Sequence, residues 1–169
     1  MQMTNCITFK YQRLLIVLLL CIFPFAVSAE QWIYKDLIDP AKVIRIETNP
    51  DNMAVDGKMV AAKFCLLDSE YICIRAGDFT FYFPKEIKPS MTSWKVDGRS
   101  YKVSSSHSAS FFGVEYEVYV VTQEVPKGLI YYIYSKMAGL LAIGGKGSGT
   151  STMYLLDSRC GYGAAADCN

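Results

Sequence analysis

From Lys42 to Leu156 the chain breaks every few residues into a β-prone run followed by a turn signal, and it nowhere sustains a helical period. That pattern constrains the fold more than any other feature. The clearest run is 79–83. Phe79, Phe81 and Phe83 fall on one face, Thr80 and Tyr82 on the other, and Pro84 ends it. A period of two sets all three rings against one core. Residues 71–75 form a β-branched and aromatic run, and Ala76-Gly77-Asp78 turns it back. Trp94 to Val96 and Tyr101 to Val103 flank Asp97-Gly98, the dipeptide that accepts the positive φ of a tight hairpin. In 114–121 the apolar set Val114, Tyr116, Val118 and Val120 shares one face, with Glu115 and Glu117 on an acidic outer one. Runs at 42–47, 129–134, 139–143 and 151–156 complete the pattern.

Other stretches read as connections. Residues 48–57 are turn-rich, 104–110 form a serine-rich loop, and 144–149 form a glycine-rich loop. Residues 58–67 suit a helix or a strand, and Asp39-Pro40 is able to cap a helical turn. About eight or nine short strands predict a mainly β fold. The expected form is a single antiparallel sheet curled into a sandwich or partial barrel, with at most one or two short helices.

The first 29 residues have the layout of a secretory signal. Lys10 and Arg13 precede the apolar run 14–27, and Val27-Ser28-Ala29 gives small side chains for cleavage. The run is short for a membrane span, which needs roughly 20 residues, and Pro24 interrupts it. Leu20 stands where lipid attachment at Cys21 would want a small residue. The expected organisation is a signal peptide over 1–29 and one exported β-rich domain over 30–169. No stable membrane span is expected after cleavage. Loss of Lys10 and Arg13 turns 17 basic and 16 acidic residues into a net of −1. A chain so near neutrality, with no Lys/Arg cluster, argues against a nucleic-acid partner.

Cys6 and Cys21 leave with the signal. Cys65, Cys73, Cys160 and Cys168 remain, an even number for an oxidising compartment. Four cysteines allow three pairings. Local geometry favours Cys65–Cys73, because a three-residue loop at Asp68-Ser69-Glu70 sets Leu67 against Tyr71 and Cys65 against Cys73. Cys160 and Cys168 bracket a small glycine-rich tail able to close on itself. The spacings are not C-x2-C, and the single histidine, His107, is remote in sequence, so neither a metal nor any other cofactor is expected.

Catalytic signals are weak. His107 sits among Ser104, Ser105, Ser106 and Ser108, but neighbours on one loop seldom supply nucleophile, base and orienting group together. Glu115 and Glu117 form a carboxylate pair that any half-buried strand shows. Residues 144–150 lack the spacing of a phosphate-binding loop, yet Lys146 stands on a candidate contact tip. Tyr132 and Tyr134 share one face of 129–134, and Tyr119 is a candidate neighbour. If that face is uncovered, the three tyrosines make a surface for protein or sugar contacts; the plainer reading is a covered strand.

In size, signal and strand content the chain is similar to small exported bacterial β-domains, among them inhibitors of cell-wall enzymes and immunity proteins. No motif carries the likeness, and it transfers no residue. The expected function is non-enzymatic binding in the bacterial envelope, with another envelope protein as partner, in the periplasm or outside the cell. The alternatives are a carrier of lipid or another apolar ligand and a small hydrolase using the His107 loop. No sequence signal bears on oligomeric state.

Overall fold

The computed structural model describes residues 30–169 apart from Leu67, Pro89, Ser148, Asp167 and Asn169. The expected signal segment, and the facing of Leu67 on Tyr71, lie outside the described residues. Twelve strands form one antiparallel sheet, and no helix occurs among the described residues. They are β1 Gln31–Asp36, β2 Val43–Thr48, β3 Asp51–Val55, β4 Lys58–Phe64, β5 Tyr71–Ala76 and β6 Phe79–Pro84. The second half holds β7 Ser93–Val96, β8 Arg99–Phe111, β9 Val114–Val125, β10 Gly128–Ser135, β11 Gly139–Lys146 and β12 Ser151–Leu156. Every two consecutive strands except β6 and β7 pair, and β1 pairs with β12 at Tyr34 and Leu156. Among the described residues the only break in this ring of strands lies between β6 and β7. The mainly β reading and the curled single sheet are therefore what forms, as a nearly closed barrel.

Two readings need correction. Residues 48–57 hold β3, and the serine-rich 104–110 is no loop but the middle of β8. β3, together with β1 ahead of the first expected run, raises the strand count above the expected one, while the serine-rich stretch lengthens β8. β8 is held straight by β9, whose Val118, Tyr116 and Val114 lie opposite His107, Ala109 and Phe111. Pairing with a strong β-former overrides the weak propensity of serine.

Side chains, not a ladder, close the gap. Trp94 Nε1 donates to the Tyr82 carbonyl at 3.1 Å, and the Tyr82 hydroxyl donates to Asp97 Oδ2 at 2.6 Å. Burial, then that hydrogen bond, pushes the Tyr82 phenol up to about 12. Arg75 reaches the same carboxylate at 3.4 Å. β6 is covered on both faces. Its Phe81 and Phe83 meet Tyr132, Tyr134 and Tyr119 of β10 and β9 across the barrel. The backbone and hydroxyl of Thr80 serve as the polar anchor. Gln123 Nε2 donates to Thr80 Oγ1 at 3.0 Å, and the Tyr132 hydroxyl lies 2.6 Å from the Thr80 carbonyl and 2.8 Å from Gln123 Oε1. A fully buried glutamine is tolerable only with both ends matched, and here both are.

The tyrosine row is thus a correction as well. Tyr119, Tyr132 and Tyr134 stand together, but inside the barrel, each less than a tenth exposed. They are core rings around Phe81 and Phe83 and present no outer surface. Nearer its start β9 covers its other face: Val118 is buried in the core, Tyr116 packs against it, and Val114 and Val120 are part-buried. Glu115 and Glu117 are exposed, so the acidic face of this part of the strand is the outer one, as expected.

Candidate functional site at the stapled end of the barrel

An up-and-down barrel has two ends, and the chain treats them differently. One end carries the β5–β6, β7–β8, β9–β10 and β11–β12 turns. The other carries the start of β1, the 65–70 and 85–92 connections, and the tail after β12.

Both disulfides lie at this second end. Cys65 is bonded to Cys73, with Cα atoms 5.1 Å apart, and Cys160 to Cys168, at 5.8 Å. These are the pairings favoured by the local register. Phe64 faces Ile74 in the β4–β5 ladder, so the next residue out, Cys65, meets Cys73. Two such bridges place the chain in an oxidising, extracytoplasmic compartment. Non-reducing peptide mapping of the purified protein should find no free thiol and a peptide linking Cys65 to Cys73. Replacing either pair by serines should cost about 2.5 kcal/mol, the loop entropy of a short bridge, read as a lower urea midpoint; an unchanged midpoint would contradict that role.

The tail does more than close on itself. Leu140 N–H donates to the Tyr162 carbonyl, Gly161 N–H to Ala138, and Ala165 N–H to Met137. The tail therefore runs along the β10–β11 turn as an added rung of backbone bonds. Contact is close enough that a Cβ on Gly161 would lie 2.0 Å from the Leu140 carbonyl oxygen. Gly163 adopts φ +75°, and its carbonyl accepts from the Tyr134 hydroxyl at 2.9 Å. Tyr162 is thereby driven into the barrel end. Its hydroxyl donates to the Cys73 carbonyl at 2.7 Å, and its N–H donates to the Tyr34 hydroxyl at 3.4 Å. Desolvation raises the phenols of Tyr34, Tyr134 and Tyr162 far above their ordinary range.

Between tail and barrel wall opens a cleft of about 630 Å³. Its walls are aromatic: Trp32, Phe64, Tyr71 and Tyr162, with Ile72 beside them. Trp32 meets Tyr162 edge-on at 5.2 Å and Phe64 meets it at 5.3 Å. Glu30, Gln31 and Thr48 supply polar groups. Cys65, Cys160 and Cys168 are wall residues too, so both covalent staples fix the cleft's shape. The volume falls within the range typical of ligand and side-chain pockets, about 300–1,000 Å³.

A second cleft of about 780 Å³ opens at the opposite end, lined by Phe79, Ile130, Asp78, Arg99, Glu124 and Lys127. Its walls come from three turns without a cross-link, and its charges are of both signs. Lys146 is exposed at this same end, beside the Lys127–Gly128 turn. It is separated from the tyrosines and from the stapled cleft. His107 is exposed on β8, opposite Val118, and the strand period turns Glu115 and Glu117 to the other face. No cluster of three or more His, Cys, Asp or Glu side chains suited to a metal occurs among the described residues. No described helix is long and apolar enough to cross a membrane.

Sequence reasoning missed the cleft. Trp32 and Tyr162 come from opposite ends of the described chain, and the β1–β12 pairing brings them together. No known family matches the chain, and neither curated proteins nor solved structures provide a match.

Proposed function

We propose that the protein is an exported, non-enzymatic binding protein of the bacterial envelope, which grips another envelope protein at the stapled end of the barrel. Residues 1–29 act as a signal peptide cleaved near Ala29, and the mature chain works in the periplasm or outside the cell. One observation carries the reading: a cleft of four aromatic walls held by both disulfides. Rigid aromatic pockets are where binding energy concentrates in protein interfaces, because little ordering entropy is lost on docking. The cleft suits an apolar or aromatic side chain of the partner, with Glu30 and Gln31 as a polar rim.

The competing readings find less support. Rings of Tyr34, Phe81, Phe83, Tyr101, Tyr132 and Tyr134 fill the barrel interior, where a carrier would hold an apolar ligand. His107 sits across from a valine, with no acid on its own face of the ribbon to orient it.

The test is affinity capture of the tagged mature protein from its own envelope extract, beside a Trp32→Ala variant checked for an intact near-ultraviolet spectrum. The native chain should retain a partner. The variant should bind it about 30-fold more weakly, the loss of about 2 kcal/mol expected of a central aromatic anchor. Retention of no protein, or equal retention by both chains, would overturn the reading.

A further inference from the structure

The sheet has few open edges, and all but one are guarded. β6 is covered on both faces. β7 is four residues long and carries Lys95. Beyond their neighbours, β8 and β9 continue as a two-stranded ribbon. β7 pairs with β8 only as far as Lys102, and β10 with β9 only from Tyr119 onward. On β9 the projecting segment bears Glu115 and Glu117, the charges that commonly protect an edge. On β8, residues 104–111 read Ser-Ser-Ser-His-Ser-Ala-Ser-Phe, with no acid, lysine, arginine or proline. No ladder pairs their outer edge among the described residues. The bulge at Val103/Ser105 lies at the ribbon's base and leaves the pairing regular from Ser105 to the tip. One face of the ribbon packs against the core through Ala109, Phe111, Tyr116 and Val118, but an unguarded edge is a template for another strand.

We propose that this edge is the dimer interface of the protein, filled by β8 of a second copy running antiparallel about a two-fold axis near His107. The edge is its own complement. With the axis at His107, that residue faces its own copy, Ser105 faces Ala109 of the second copy and Ser106 faces Ser108, so no lysine, arginine or acid opposes its like. Pairing of this parity puts the outward faces of both ribbons on one side. Ala109, Phe111, Tyr116 and Val118, which face the chain's own core, stay on the other side in both copies and leave the edge itself free to pair. Glu115 and Glu117 of the two copies stay three strand spacings apart, about 14 Å, beyond the screening length of physiological salt. A net charge of −1 on the mature chain leaves little general repulsion between copies. The inference is independent of the cleft and of what the cleft binds.

Sedimentation of the mature, disulfide-intact protein from micromolar to near-millimolar concentration tests it. The expected result is a monomer–dimer equilibrium, with amide protection at 104–111 rising as the dimer fills. A Ser106→Lys/Ser108→Lys variant should keep the native near-ultraviolet spectrum, since both positions are exposed. It should weaken association about tenfold or more by setting like charges across the axis. Trp32→Ala should dimerise as the native chain does. A native protein that stays monomeric throughout, or a dimer that the lysines leave intact, would overturn the proposal. So would amide protection gained elsewhere than at 104–111.

Discussion

Raising the pH above about 10, the ordinary phenol value, is expected to unfold the barrel in one cooperative step. Four tyrosines drive it. Burial holds Tyr34, Tyr132, Tyr134 and Tyr162 protonated well past that value. In the unfolded chain the same phenols titrate normally. The folded state therefore binds more protons at high pH. Its advantage is whole below pH 10 and is lost as the pH climbs from there toward the folded-state values. Each held proton costs about 1.4 kcal/mol of relative stability per pH unit in that window. Four together approach about 5 kcal/mol per unit, against a total of about 5–15 kcal/mol for an ordinary domain. The transition should therefore fall between about pH 11 and 12. Phenolate absorbance and near-ultraviolet dichroism, followed together, measure it. The buried phenols should ionise in step with the loss of dichroism. A gradual rise of absorbance centred near pH 10, with tertiary signal intact, would mean that these rings are not sealed from water.

The same tyrosines show what the sequence makes legible and what it leaves hidden. Strand content was readable because alternation and turn chemistry are local. Phe79, Phe81 and Phe83 do share one face, Asp97-Gly98 is the β7–β8 turn, and the short Cys65–Cys73 spacing is a hairpin register. The choice of face in β9 and β10 was not readable. β10 is apolar on both sides, and in β9 the buried set changes from Val118 to Tyr119, Val121 and Gln123, so the period of two says which residues go together but not which set goes in. Phe83 decides it, by lying 3.8 Å, ring centre to ring centre, from Tyr134. The serine-rich β8 was hidden for a related reason: its conformation comes from its partner strand, and serine signals a loop. The aromatic cleft depends on a contact between the first and last strands, which no spacing within either segment reveals.

Phe83→Ala should be among the costliest single changes in the chain, at about 3–5 kcal/mol. Phe83 is fully buried, and its ring touches three strands of the opposite limb at once. It lies 5.8 Å from Trp94 of β7, 5.7 Å from Tyr119 of β9 and 3.8 Å from Tyr134 of β10, measured between ring centres. No ladder joins β6 to β7, so these ring contacts stand in for the missing hydrogen bonds. Their loss removes apolar burial and also loosens the one seam of the barrel. Phe79, on the same face of the same strand, is the internal control. It is half-buried and meets one ring, Tyr132, at 6.0 Å. Urea unfolding of both alanine variants, with Trp94 fluorescence as the probe of the seam, compares them directly. The Phe83 variant should lose at least twice the stability of the Phe79 variant, and its Trp94 emission should shift to the red before the main transition. Equal losses, with Trp94 emission unmoved, would mean that the polar contacts of Thr80, Tyr82 and Asp97 hold the seam and that the rings merely fill it.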